Sequence, residues 1–131
     1  MAETANAILV SIVTLSTVVL TSCLFVYLTL PKQSKEFTKL NKQLKDIYPL
    51  IINFKTDVET YYQVKYKEDN EEDRKYRYNY YQEESLKILI KIDGVDLADL
   101  ENDEEKKQLK TKRKDFIKKI QNTIKNIEQY K

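Results

Sequence analysis

The 131 residues allow one compact domain at most, and with one Gly and two Pro the chain has few turn formers, so long helices are expected. Histidine is absent and Cys23 is the lone cysteine, which excludes the usual general base, Ser-His and Cys-His nucleophiles, a disulfide framework and a thiolate zinc site; Gly94 alone cannot build a phosphate-cradling loop. Lys and Arg number 23 against 21 Asp and Glu, with signs interspersed, so a net charge of +2 carries no DNA-binding signature and the expectation is a non-enzyme without metal or cofactor.

Residues Ile8 to Leu30 (ILVSIVTLSTVVLTSCLFVYLTL) carry no charge and stop at Pro31. At about 1.5 Å per residue they reach roughly 35 Å, enough for a hydrocarbon core of about 30 Å. Interior Ser and Thr hydroxyls bond back to helix carbonyls and are tolerated there. A cleaved signal peptide fits poorly: the run is too long, MAETANA lacks Lys and Arg, and no small-residue cleavage site ends the run. Leu20-Thr21-Ser22-Cys23 has the short form of a lipoprotein signal, but the apolar run continues past the cysteine. The sequence therefore predicts a retained transmembrane anchor over 8–30 after a short N-terminal segment, 1–7. Only Glu3 precedes the anchor, whereas Lys32, Lys35, Lys39, Lys42 and Lys45 follow it, and this asymmetry puts the remainder in the cytosol. Those lysines read most simply as a stop-transfer flank and a solvated helix face, with contact to anionic lipid or the ribosome as the sharper reading.

From Phe37 the apolar residues Phe37, Leu40, Leu44, Ile47, Ile51, Phe54, Val58 and Tyr61 recur at alternating steps of three and four, one stripe of an amphipathic helix. Pro49 interrupts it, so the expectation is a basic juxtamembrane helix or linker over 31–48 and a bundle over 49–131. The stripe also fits a parallel coiled coil, although packing within the chain is favoured. Lys67 to Asp73 reads as a loop and the acidic first turn of a second helix, 71–92, that Gly94 ends in a left-handed cap. Asn102 with Glu105 forms a capping-box pair before a third helix that reaches Gln129, with Leu109, Phe116, Ile117, Ile120, Ile124 and Ile127 on its apolar side. Seven of the ten tyrosines lie between Tyr61 and Tyr81 and line the closed end of the first hairpin; a stacking platform for peptide or base is the alternative. The fold class is all-α, a three-helix antiparallel bundle preceded by one N-terminal transmembrane helix.

Counting outward from the loop between the second and third bundle helices sets Asp93 level with about residue 104 and Glu83 level with Arg113 and Lys114. Gln121 lies eight residues further, roughly 12 Å along the same helix. Arg113 falls on the line of Ile117, Ile120 and Ile124, so its charge must snorkel, pair with Glu83 or meet a partner.

The segment from Glu83 to Asp93, EESLKILIKID, with Gly94-Val95-Asp96, resembles the second helix and connector of the BAG domain. Lys112 to Ile124, KRKDFIKKIQNTI, resembles the third helix of that domain. The resemblance implies binding to the nucleotide-binding domain of DnaK-type 70-kDa heat-shock chaperones and promotion of ADP/ATP exchange, with Glu83, Asp93, Arg113 and Gln121 as polar contacts and Lys114 as a helper. An anchor ahead of such a domain is similar to the small fungal form held in the endoplasmic reticulum and nuclear envelope, which implies a luminal N-terminus and a cytosolic bundle. The alternative is a membrane-anchored coiled-coil tether, or a ribosome or lipid adaptor, without chaperone activity.

Overall fold

The computed structural model of the protein describes residues 2–29 and 32–131. They divide into two units, Met1–Lys32 and Gln33–Lys131.

The first unit is α1 (Ala2–Thr29). Its hydroxyls turn back on its own carbonyls: Ser11 donates to Ala7 at 2.8 Å, Thr14 to Val10 at 2.9 Å and Thr21 to Thr17 at 2.9 Å. Among the described residues no helix is long and apolar enough to cross a membrane. This corrects the transmembrane anchor predicted over 8–30 and the single-pass placement in the endoplasmic reticulum or nuclear envelope. Half of the positions from Ser11 to Ser22 are Ser or Thr, and the Ser11, Thr14 and Thr21 hydroxyls are satisfied within the helix itself. Met1, Leu30 and Pro31, which fall within or beside the expected anchor, lie outside the described residues. Lys32, Lys35, Lys39, Lys42 and Lys45 are exposed, and Lys39 pairs with Glu36 at 3.1 Å. Contact with a bilayer, anionic lipid or the ribosome loses the support that the anchor lent it.

The second unit is built from α2 (Lys35–Thr60), α3 (Glu71–Asp93) and α4 (Asp103–Ile127), which pack pairwise. Ser34 at the start of α2 meets Glu105 at the start of α4, and Tyr62 just past α2 stacks on Tyr130 just past α4. The two helices are therefore parallel, and α3 runs back between them in an up-down-up bundle.

α2 runs unbroken through Pro49, where the sequence predicts a break and a domain boundary. A proline inside a helix costs about 3 kcal/mol through its lost donor and its clash with the carbonyl four residues back. Here Pro49 and Lys45 both lie on the exposed side, so the disturbed carbonyl is next to solvent. Against that cost, Phe37, Leu40, Leu44, Ile47, Ile51, Phe54 and Val58 are all buried, on the order of 10–20 kcal/mol of gross apolar burial. The stripe that would have suited a coiled-coil dimer is used inside the molecule.

α2 ends in a π-helical turn, Tyr61–Lys65, in which the Tyr66 N–H donates to the Tyr61 carbonyl at 3.0 Å. This wider turn brings Tyr61, Tyr62 and Tyr66 together with Tyr81 and Tyr130; the Tyr62 and Tyr130 rings stack at 4.6 Å. Arg74 lies 4.6 Å over Tyr66, and Tyr61 donates to Asp69 at 2.8 Å. Burial, then the Tyr66, Tyr78 and Tyr130 hydroxyls nearby, pushes the Tyr62 hydroxyl up to about 12. These rings close the end of the bundle, as the plain reading of the tyrosine cluster expects.

Asn70 caps α3 by accepting from the Asp73 N–H at 2.9 Å, and Glu71, Glu72 and Asp73 complement the positive end of its dipole. Gly94 ends α3, but its φ of −68° is right-handed, so the predicted left-handed cap is not formed. A Cβ at Gly94 would meet only the Ile90 carbonyl at 3.4 Å and the Lys91 carbonyl at 3.6 Å. Gly94→Ala is therefore expected to be neutral or to stabilise by up to about 1 kcal/mol, because it narrows the unfolded ensemble without straining the fold. A clear fall in thermal midpoint would show that the position needs glycine.

Asn102 caps α4, accepting from the Glu104 and Glu105 N–H groups at 3.0 Å each. Glu105 does not return to Asn102 as a capping box would. Its carboxylate instead accepts from the Ser34 N–H at 2.8 Å and the Ser34 hydroxyl at 2.6 Å, 71 residues away, tying the first turns of α2 and α4 together. Lys112 adds a second tie by donating to Asn41 at 2.7 Å. Burial, then the charge of Lys45, lowers the affinity of the Lys112 amine for its proton.

Candidate functional site

The residues singled out in the sequence lie on α3 and α4. Glu83 is exposed near the middle of α3 and Asp93 is exposed at its end. Arg113 is half-buried on α4, while Lys114 and Gln121 are exposed. Arg113, Lys114 and Gln121 line one shallow groove together with Lys110, Ile117 and Lys118.

Arg113 does not pair with Glu83. It donates to Asp93 at 3.2 Å. The sequence-based register placed Asp93 level with about residue 104, and the discrepancy has a specific origin. The connector after α3 is part of the core and not a plain loop: Val95, Leu97 and Leu100 are buried against the helices. Asp96 shapes it by accepting from the Ala98 N–H at 2.9 Å, and Lys106 caps its carbonyls at Ala98 and Leu100. A connector that doubles back to bury three side chains shifts α4 along α3, and counting residues across it cannot detect this.

The Arg113–Asp93 pair sits at the surface, with the two side chains 25% and 68% exposed. Such pairs contribute about 0–1 kcal/mol to folding. The contact thus holds a guanidinium and a carboxylate side by side at the seam of α3 and α4 while leaving both able to bond elsewhere. Glu83 has no ion-pair partner among the described residues. One turn on, Lys87 is held above its ordinary range, first by its hydrogen bond to Glu84 at 2.6 Å and less by Glu83. The site offers charge and hydrogen-bonding capacity on a surface without an enclosed cavity, which suits recognition of another macromolecule.

Sequence reasoning missed two exposed aliphatic side chains here. Leu86 and Ile90 lie on the same side of α3 as Glu83 and Asp93, away from its buried residues Tyr81, Ser85, Ile88 and Ile92. The signal was present in the run Leu86-Lys87-Ile88-Leu89-Ile90, which places apolar residues on more than one side of a helix.

No curated protein and no solved structure shows significant similarity to the chain. The BAG domain family profile matches residues 30–130, which takes in all three bundle helices and the segment ahead of Pro49. The match does not extend to the membrane-anchored fungal form. Because the profile covers well over half of the chain, the protein belongs to the BAG domain family.

Proposed function

We propose that the protein is a co-chaperone that binds the nucleotide-binding domain of a DnaK-type 70-kDa heat-shock chaperone and promotes exchange of ADP for ATP. The observation that carries this reading is the family match over 30–130. The arrangement at the α3–α4 seam supports it. Glu83 and Asp93 present carboxylates to basic residues of the chaperone, Arg113 presents a guanidinium to acidic ones, and Gln121 and Lys114 extend the contact along α4. Charge-assisted contacts of this kind set register and encounter rate.

The mechanism is differential binding. A rigid bundle that fits the open nucleotide cleft better than the closed one shifts the equilibrium by that difference in affinity, ADP leaves, and ATP rebinds. No residue of this chain performs covalent chemistry, so the protein acts without being an enzyme.

The test is release of fluorescent ADP from the chaperone. Addition of the full chain is expected to speed release by about tenfold or more, equivalent to ~1.4 kcal/mol of preference for the open form. Unchanged release at a concentration that saturates binding would rule out exchange activity.

A further inference from the structure

We infer that Leu86 and Ile90 form an apolar anchor that inserts against an apolar, basic-rimmed patch of the chaperone's nucleotide-binding domain, so that the polar contacts guide docking and the anchor holds the complex. This rests on the chaperone-binding reading. Leu86 is 58% exposed and Ile90 70% exposed, four residues apart and therefore neighbours on the helix surface. At 100° per residue, Glu83, Leu86, Ile90 and Asp93 fall within a sector of about 80°, so two carboxylates about 15 Å apart along the helix flank an apolar pair about 6 Å apart.

The opposite side of α3 already supplies its share of the core through Tyr81, Ile88 and Ile92. Nothing within the fold requires a second apolar side, and its cost in water is unrelieved in the free protein. Ile90 also lines a groove between α2 and α3 with Leu50, Phe54 and Tyr80, and Lys87 and Lys91 stand in the same lining on the side toward α2. The flanking carboxylates define the occupant: a hydrophobic patch with an acidic rim would be repelled at both ends, and one with a basic rim is drawn in. Apolar anchors at the centre of a charged face are where interfaces concentrate their affinity, and the charges around them act mainly on the association rate.

The experiment measures binding of the full chain to the chaperone's nucleotide-binding domain at two salt concentrations, for the wild type, Leu86→Ala with Ile90→Ala, and Arg113→Ala. The double variant is expected to weaken binding about 10- to 100-fold, chiefly through faster dissociation, with the wild-type salt dependence retained. Arg113→Ala is expected to flatten that salt dependence. Thermal unfolding of the double variant should match the wild type, because neither side chain is in the core. If the double variant binds like the wild type while Arg113→Ala binds weakly, the anchor is refuted and chaperone docking stands. If the wild type itself does not bind, the docking reading fails and the anchor with it. A wild-type dimer that the double variant converts to monomer, with chaperone binding unchanged, would assign the patch to self-association and overturn the proposal.

Discussion

Replacing Arg113 with alanine is expected to weaken chaperone binding about 10- to 100-fold, corresponding to ~1.5–3 kcal/mol, while the helical content and the unfolding midpoint stay nearly unchanged. The two halves of this expectation come from the same geometry. Among the described residues Arg113 has one ion-pair contact, to an Asp93 carboxylate that is 68% exposed, and solvent screening leaves little folding energy in it. At an interface that excludes water, the same guanidinium meets acidic partners where screening is weak, and its removal also leaves those partners unpaired. Calorimetric binding to the chaperone's nucleotide-binding domain, with circular dichroism melts of the same samples, separates the two effects. A large drop in thermal stability without a change in affinity would make Arg113 a structural ion-pair residue and remove it from the docking face.

Leu44→Ala is expected to cost about 2–5 kcal/mol of stability, and a fragment beginning at residue 49 is expected not to fold cooperatively. Leu44 is fully buried, with no exposed surface, in the half of α2 that precedes Pro49. Truncating it removes transfer energy and leaves a cavity that helices on two sides cannot readily fill. In a bundle of this size each kcal/mol lowers the melting midpoint by about 4–8 °C. Deleting residues before 49 goes further. It removes Phe37, Leu40, Leu44 and Ile47 from the core, the Ser34–Glu105 clamp and the Asn41–Lys112 bond. Since domains have only about 5–15 kcal/mol of net stability, that loss exceeds the reserve. A sharp, reversible melt from residues 49–131 would instead restore Pro49 as a domain boundary.

Much of this fold was legible because it depends on local chemistry. The alternating steps of three and four from Phe37 to Val58 specify one buried helix face, and every residue of that stripe is in the core. Asn102 ahead of acidic residues marks the start of α4, since a short side-chain acceptor there satisfies two N–H groups that the helix leaves free. Glu83, Asp93, Arg113, Lys114 and Gln121 could be named in advance as a candidate docking set because the family pattern and the charges are both written in the chain.

Three things were decided only by tertiary structure. Pro49 is a local veto on helix, and it was overridden because residues on both sides of it bury against α3 and α4. Arg113 took Asp93 instead of Glu83 because Val95, Leu97 and Leu100 pull the connector into the core and reset the register. Glu105 left its expected capping partner for Ser34 because the parallel course of α2 and α4 brings their first turns together. The span expected ahead of the bundle rested on the absence of charge from Ile8 to Leu30, and among the described residues no helix is long and apolar enough for a crossing. Sequence by itself thus determined which segments are helical and which side chains seek cover. Which of those side chains meet one another was settled by long-range packing, because burial energy is shared across helices and no local pattern records its partner.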